Sequence, residues 1–482
     1  MESVWSKEVE IPERSPLKED LKVEIVVIGG GMAGILTAYA LKCQGKEVVV
    51  LEADRIAGGQ TRNTTAKLTC QQGMIYDKLI KHYGKEEAAV YARANKVAID
   101  AFEWLVQEKK IECEFKRVPA YLYSVKDDKK LRREAIAAHY LGIPAFFTKE
   151  TDLPFDLKGA VCFENQAQFH PLLFIKEISK ELKIYEKTKA LSVKGHEIKT
   201  EGGTVRAEHI IFATHYPITN IPGFYFLRQH QERSYVLAVE GIEKPEGIYY
   251  SVDKKGLSIR STEEFVLLGG CAHRTGKNER GGKYEELRNI AGKYFPDFEE
   301  RAHWSAQDCM PHDGLPFMGR YSVFRPYWYV ATGFQKWGMT SSMLAAFIIC
   351  DQICGRKNPY EKLFSPRRLH IFAGAKAFLK DVGESIKGLA KGAFHMPIRE
   401  MDALPKGHGG IVRIGLKRYA CYKDEQGKVY KISAKCPHMG CELEWNPDEL
   451  SWDCPCHGSR YDYRGKLLDC PAQSEKLILH SQ

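Results

Sequence analysis

The chain predicts an α/β dinucleotide-binding domain, an antiparallel-sheet domain built onto it, and a small all-β domain at the C-terminal end. Three observations carry this. Val23-Glu-Ile-Val-Val-Ile28 is a buried strand that runs directly into Gly29-Gly30-Gly31-Met32-Ala33-Gly34, a G-x-G-x-x-G turn in the setting that turn requires. Between roughly Pro119 and Arg301 apolar residues alternate, as in Ser234-Tyr-Val-Leu-Ala-Val239, Gly247-Ile-Tyr-Tyr250 and Phe265-Val-Leu-Leu268, which is the period of half-buried strands. The C-terminal region holds Cys436-Pro-His438-Met-Gly-Cys441 and Cys454-Pro-Cys456-His457-Gly458-Ser459, two Cys/His clusters at metal-ligand spacing.

Composition sets the limits. The 482 residues are enough for two or more domains, and 44% hydrophobic with 28% charged is an ordinary globular balance. No run of about 18 apolar residues is present to span a membrane, and Met1 to Leu21 lacks the basic-then-apolar pattern of a signal segment, so a cytoplasmic location is expected. Of the 14 cysteines, the eight before residue 360 are scattered and read as buried thiols, while six fall between Cys421 and Cys470 and mark the metal domain.

In the first domain each glycine has a task. Gly29 permits the tight turn, Gly31 lets backbone approach a pyrophosphate, and Gly34 lets the helix Ile35 to Cys43 pack against the strand, its N-terminus facing the phosphates with Met32 and Ala33 in the turn. A second strand, Glu47 to Leu51, ends at Glu52-Ala53, 23 residues after Gly29, where a carboxylate accepts from ribose hydroxyls. The segment Arg55-Ile-Ala-Gly58-Gly59-Gln60-Thr61-Arg62-Asn63-Thr64-Thr65-Ala66-Lys67-Leu68 is rich in small and hydroxyl residues and can wrap a flavin.

Here the chain resembles the D-amino-acid oxidase superfamily, with its glutathione-reductase-type FAD fold. The resemblance extends through Gln168-Phe-His170-Pro171 before a helix, through Thr188-Lys-Ala190 in a strand laid against adenine, and through His209-Ile-Ile-Phe-Ala213-Thr214-His215 closing the nucleotide domain. Asp313-Gly314-Leu-Pro316-Phe-Met-Gly319 and Trp328 to Thr340, with Gly333, Lys336, Gly338, Met339 and Thr340, resemble its C-terminal FAD element. That element has its own physical reason. A reduced flavin is negative near N1 and O2, and the start of the helix Ser341 to Cys354, with Lys336 nearby, offers N–H groups and positive potential; a solvated surface lysine is the competing reading of Lys336. In the family the sheet forms a substrate pocket, for which Tyr250, Arg260, His273 and Arg274 are the candidates, an arginine serving as a carboxylate clamp. No second G-x-G-x-x-G follows a strand, so electrons are expected from a small-molecule substrate rather than NADH.

Arg356 to Arg399 carries 10 Lys/Arg against 3 Asp/Glu and supplies most of the net charge of +9. Ile371, Ala375, Phe378, Leu379, Val382, Ile386, Leu389 and Ala393 fall at helical spacing opposite Lys376, Lys380, Lys387 and Lys391. Two readings stand: a connector packed on the flavoprotein body, and peripheral contact with an anionic membrane. No nucleic-acid module is indicated.

The C-terminal clusters suit a [2Fe-2S] centre in which thiolates hold one iron and imidazoles the other; a structural Cys2His2 zinc site is the alternative reading. They resemble Rieske proteins. That resemblance assigns Cys436 and Cys454 to one iron, His438 and His457 to the other, and Cys441 and Cys456 to a disulfide, with Ser459 and Tyr461 donating to cluster and ligand sulfur. The third loop reads Cys470-Pro471-Ala472, where the family commonly has Gly-Pro-Ala. Ile411 to Tyr419 and Lys428 to Ile432 are expected strands. The domains expected are 1–363 for FAD and substrate, 364–400 as a basic linker, and 401–482 for the cluster.

Together these readings describe a flavoprotein oxidoreductase that oxidises an amine or amino acid at FAD and passes electrons through the Rieske centre to an external acceptor. Its rivals are an oxygen-using amine oxidase with a structural cluster and a non-catalytic redox carrier or sensor.

Overall fold

The structure is a computed structural model that describes residues 2–368 and 401–476, with positions 383 and 398 between them. The basic segment expected at 364–400 lies, beyond Arg368 and apart from those two positions, outside the described residues.

One sheet runs in the order Phe317–Ser322, Arg325–Thr332, Thr204–Phe212, Leu21–Ile28, Val48–Leu51, Lys183–Tyr185. From Arg325–Thr332 onward every neighbour is parallel. A parallel sheet is covered on both faces, which is why Val23 to Ile28 is continuously apolar. Ile25 and Val27 pack with Ile35, Leu36 and Leu344 of the helices Met32–Cys43 and Gly338–Ile353, whereas Val26 and Ile28 pack with Phe212 and Trp328.

The second sheet runs Glu299–Pro311, Gln229–Glu240, Val266–Arg274, Ser258–Ser261, Ile248–Ser251, Lys116–Ser124, Gly159–Gln168, Lys67–Leu68. It is antiparallel along this path except where Ile248–Ser251 pairs in parallel with Lys116–Ser124, so the expected antiparallel sheet is in fact mixed at that seam. Lys67–Leu68 pairs with Gln168 and Ala167 and so ties the loop after the second dinucleotide strand to this sheet. A helix not anticipated from the sequence, Tyr76–Lys109, kinks at Gly84, whose φ is 85°.

Two local expectations need correction. Thr188 to Ala190 is not a strand; it follows Lys183–Tyr185 as irregular chain, held by Thr188 N–H donating to Glu52 O at 2.8 Å. Ile411 to Tyr419 is not one strand but the two arms of a hairpin, His408–Ile414 and Lys417–Lys423, turning at Gly415 with φ 60°. The turn needs a left-handed residue, and glycine takes that conformation without a Cβ penalty.

The C-terminal domain consists of that hairpin with Val429–Ser433, and a four-stranded meander of Glu444–Asn446, Ser451–Asp453, Arg460–Asp462 and Leu467–Asp469. It is locked to the flavoprotein body by a buried ionic knot. Glu449 Oε2 accepts from Arg233 Nη2 at 2.7 Å, Ser305 Oγ at 2.7 Å and Arg460 Nη2 at 2.8 Å, and Oε1 accepts from Tyr284 OH at 2.9 Å. Asp469 accepts from Arg460 Nη1 at 2.9 Å and from Gln60 Nε2 at 2.8 Å. Burial acts to raise the Glu449 carboxyl, but Arg233 and Arg460 overcome it and hold the pKa at about 2.

A carboxyl held below its ordinary 4.5 stabilises the folded state above that value and loses its contribution as pH falls from 4.5 toward 2. Glu449→Gln is therefore expected to cost about 3–5 kcal/mol at pH 7, the usual penalty for breaking a buried charge pair. In urea unfolding followed against pH, the gap between wild type and variant should narrow below about pH 4.5; a gap constant down to pH 3 would contradict the ionic account.

Candidate functional site

The dinucleotide cradle is shaped by close backbone approach. A Cβ on Gly29, whose φ is 109°, would sit 2.5 Å from Ala213 O, and one on Gly34 would sit 1.9 Å from Gly29 O; neither position admits a side chain. A Cβ on Gly31 would meet only Thr61 Oγ1, at 3.3 Å, so this face of the turn stays open. Met32 N–H opens the helix and donates to Thr61 Oγ1 at 3.0 Å. Glu52, at the end of its strand beside Ala53, accepts from Gly30 N–H at 2.7 Å and Asp54 N–H at 2.9 Å, and burial raises its pKa. Ala190 and Ala213 are buried and Gly333 has φ 73°, while Thr214 Oγ1 donates to Tyr216 O at 2.8 Å. The helix start Gly338-Met339-Thr340 is pinned by Thr340 Oγ1, which accepts from Thr69 N–H at 3.0 Å. Among the described residues neither amide atom of the fully buried Gln71 has a hydrogen-bond partner, where buried polar groups ordinarily have one.

Two further residues of this loop have distinct surroundings. Gln60 bridges outward, accepting from Gln307 N–H at 2.7 Å and donating to Asp469 of the C-terminal domain. Gly59 has open space around it, with nothing within 4 Å of a Cβ.

Where the loop 63–67 meets the second sheet, a cavity of about 210 Å³ is lined by Thr65, Lys67, Tyr250, Ser258, Asp308 and Lys336, among others. Lys336 donates to Ser234 Oγ at 2.6 Å and Asp308 Oδ2 at 3.0 Å, and Glu232 lies 3.7 Å away. Burial opposes its charge, but these carboxylates outweigh burial and raise its pKa, keeping it an ammonium. The solvated reading of Lys336 is thereby set aside. Tyr250 stacks obliquely on Trp337, ring centroids 5.4 Å apart, and burial pushes its hydroxyl up.

Arg260 and His273 do not belong to this lining. Arg260 is 1% exposed, and its guanidinium is consumed by Gln168 Oε1 at 3.1 Å and by the carbonyls of Thr65 at 2.5 Å, Ala66 at 3.0 Å and Phe169 at 3.1 Å. It braces the 65–66 loop, with four of its five N–H donors engaged by the chain itself. His273 Nε2 lies 3.0 Å from Tyr235 OH and Nδ1 2.8 Å from Arg274 O, while Arg274 donates to Pro455 O at 3.1 Å and Cys456 O at 3.0 Å. Both sit toward the domain junction. Sequence reasoning counted an arginine at a strand end as reachable; only the fold shows the carbonyls that occupy it.

In the C-terminal domain Cys441 and Cys456 are joined as a disulfide. The sulfurs of Cys441, Cys454 and Cys456 lie within 4.8 Å of one another, but two of the three are bonded together, so that trio is not a ligand set. The remaining donors converge as two pairs. Nδ1 of His438 and Nδ1 of His457 are 3.3 Å apart, and burial depresses His438 to about 4, the neutral form that binds metal. Cys436 and Cys454 are buried partners, and the contact with Cys454 brings the Cys436 thiol down to about 6. Ser459 Oγ accepts from Ala472 N–H at 3.0 Å and turns its own proton toward Cys436. Tyr461 is buried against the same sulfur. Two imidazoles and two thiols so arranged fit a Rieske cluster, whose asymmetric ligation gives a one-electron centre of raised potential.

The histidine side of this centre faces the flavoprotein body. His438 Nε2 meets Asn220 Oδ1 at 2.8 Å, and Phe226 stands edge-on to both rings. Gln231 Nε2 donates to His457 O at 2.7 Å and Cys470 O at 2.9 Å, and Gln307 Nε2 donates to Gly458 O at 2.8 Å. The departure at Cys470 is thus a backbone contact with Gln231, its side chain packing against the dinucleotide domain. Gln231 and Gln307 sit on the paired strands that also supply Ser234 and Asp308 to the cavity. Three residues of strand separate Gln231 from Ser234, about 10 Å.

The FAD-dependent oxidoreductase family matches residues 24–352, and the Rieske [2Fe-2S] domain family matches residues 395–480. The Rieske 2Fe-2S iron-sulfur protein YhfW of Bacillus subtilis (strain 168) is 37% identical over 98% of this chain and 96% of its own length. Glycine oxidase from Geobacillus kaustophilus superposes with a TM-score of 0.62 at 19% identity, covering 72% of this chain and 99% of that one. L-proline dehydrogenase from P. horikoshii gives 0.60 at 18%, covering 73% and 98%; at such identities the likeness speaks for the fold. The cradle and the paired ligands, with these matches, establish that the chain belongs to the FAD-dependent oxidoreductase family, binds FAD, and carries a C-terminal Rieske [2Fe-2S] domain.

Proposed function

We propose that the protein is a dehydrogenase that oxidises a small amine or amino acid at FAD and passes the electrons singly, through the cluster, to an external acceptor. The observation that carries this reading is the shared strand pair: Gln231 and Gln307 hold the cluster loops while Ser234 and Asp308 of the same strands line the cavity. FAD accepts two electrons at once and a Rieske centre releases one at a time, and a tether keeps such partners at high effective concentration. The solved relatives named glycine oxidase and L-proline dehydrogenase favour an amine or amino-acid substrate.

The chain's own residues divide the work. Gly29, Gly31, Gly34 and Glu52 would hold the dinucleotide, with the N-terminus of the helix Met32–Cys43 turned to its phosphates. Lys336, kept charged by Asp308 and Glu232, supplies fixed positive potential at the cavity wall. Tyr250 and Trp337 give that wall an aromatic, water-excluding surface. Cys436, Cys454, His438 and His457 would ligate the cluster, and Ile221 and Met439, both exposed beside Asn220 and His438, leave apolar surface where an acceptor can dock.

With anaerobic protein and a panel of secondary amines and amino acids, bleaching of the flavin followed by a rhombic reduced-Rieske EPR signal is expected. A flavin that reduces without ever reducing the cluster would support the oxygen-using oxidase, and a flavin unresponsive to the whole panel would support the carrier. Ser459→Ala should lower the cluster potential by about 1 kcal/mol, roughly 40 mV for one electron, by removing a donor to ligand sulfur; potentiometry of the isolated variant checks this. Lys336→Met should leave the Rieske EPR signal intact and slow flavin reduction by about 10²-fold, as loss of a preorganised charge does.

A further inference from the structure

Among the described residues no carboxylate answers the buried amine of Lys67. It is 8% exposed, it lines the cavity, and its hydrogen-bond partners among the described residues are two hydroxyls, Thr65 Oγ1 at 3.2 Å and Ser258 Oγ. A buried ammonium ordinarily has a paired anion. The charged groups facing it from the neighbouring elements do not provide one. Behind it stands the Arg260 guanidinium on Ser258–Ser261. On the cavity wall, Asp308, with Glu232 beyond it, is committed to Lys336, and Asp253 accepts from Ser124 Oγ at 2.8 Å and Val125 N–H at 2.9 Å. Lys254 adds a further positive charge at the cavity lining and Tyr250 a neutral phenol.

The two lysines of one cavity are therefore pushed apart. Lys336 is fixed as an ammonium, whereas burial, with the Arg260 charge behind it, brings Lys67 down to about 7. Groups of one type driven to opposite protonation states are the pattern of an assigned acid and base.

We propose that Lys67 is the proton acceptor of this cavity: its neutral amine takes a proton from the ammonium of the incoming substrate, so that the substrate nitrogen carries a free lone pair. This rests on the amine-oxidising reading above. In the step one N–H bond of the substrate breaks and one N–H bond forms on Lys67, charge being conserved. Hydride from the adjacent carbon would then pass to bound FAD, the hydrogen and its electron pair leaving together as the lone pair closes a C=N bond, and the product would depart as an iminium. Lys67 returns its proton to solvent before the next turnover. Thr65 and Ser258 orient the amine and stabilise either of its forms, because a hydroxyl both donates and accepts.

The test uses the FAD-loaded full chain. With lysine labelled biosynthetically at Cε with ¹³C, one Cε resonance should titrate near pH 7 in the wild type and vanish in Lys67→Met; a Lys67 resonance titrating above pH 9 overturns the proposal whatever the substrate proves to be. In anaerobic flavin reduction by an amine that reduces the wild type, the limiting rate should rise with pH to a plateau above about 7. In Lys67→Met, and in Lys67→Gln as a second variant, it should fall about 10²-fold at pH 7 and recover toward the pKa of the free amine. Rates are normalised to bound flavin. Variants that keep the wild-type profile overturn the proposal. A resonance titrating near 7 with no amine reducing the flavin refutes the amine-oxidising reading, and with it the role of Lys67 toward an ammonium, while leaving its neutral state measured.

Discussion

Glu449 and the two arginines that meet on it, Arg233 from the flavoprotein and Arg460 from the cluster domain, set the relation between the redox halves of this protein. All three side chains are less than one-tenth exposed. Buried ionic pairs contribute little net stability against an apolar alternative, but a misplaced partner leaves an unpaired buried charge. The knot therefore penalises every docking orientation except the one seen. In that orientation Gln231 and Gln307 reach the carbonyls of His457 and Gly458, and the imidazoles turn toward the flavoprotein rather than away from it.

The same pair of strands divides its two faces between the redox sites. Gln231, Arg233, Ser305 and Gln307 reach the cluster domain, while the alternate residues Glu232, Ser234 and Asp308 face Lys336 and the cavity. Each ionisable group in the cavity is then set by what lies behind it. Two carboxylates keep Lys336 charged, while burial, with the Arg260 guanidinium behind it, favours a neutral Lys67.

The legibility of the sequence follows the range of the interactions. Short-range constraints were readable: Gly29 and Gly34 answer to backbone atoms within a few ångströms, and the C-x-H and C-x-x-H spacings bring two imidazole Nδ1 atoms together. What could not be read depends on distant partners. Arg260 and His273 look like pocket residues from strand position alone, because the carbonyls of residues 65, 66 and 169 and the Tyr235 hydroxyl that engage them come from other elements. Gln60 holds Asp469, more than 400 residues on, a bond that no local spacing signals. Lys67 was read for its place in a flavin-wrapping loop; its distinguishing feature, a missing carboxylate, exists only in three dimensions. The hairpin at Gly415 has a local signal, a glycine inside the run Ile411 to Tyr419.

The central claim is that flavin and cluster form one redox unit within a single chain. The most direct measurement is the rate at which the cluster is reduced after the flavin in anaerobic stopped flow, followed across a hundredfold range of protein concentration. Docking of the kind seen predicts a first-order rate that does not change with concentration. A rate rising in proportion to concentration would mean that electrons pass between molecules, and would contradict the account.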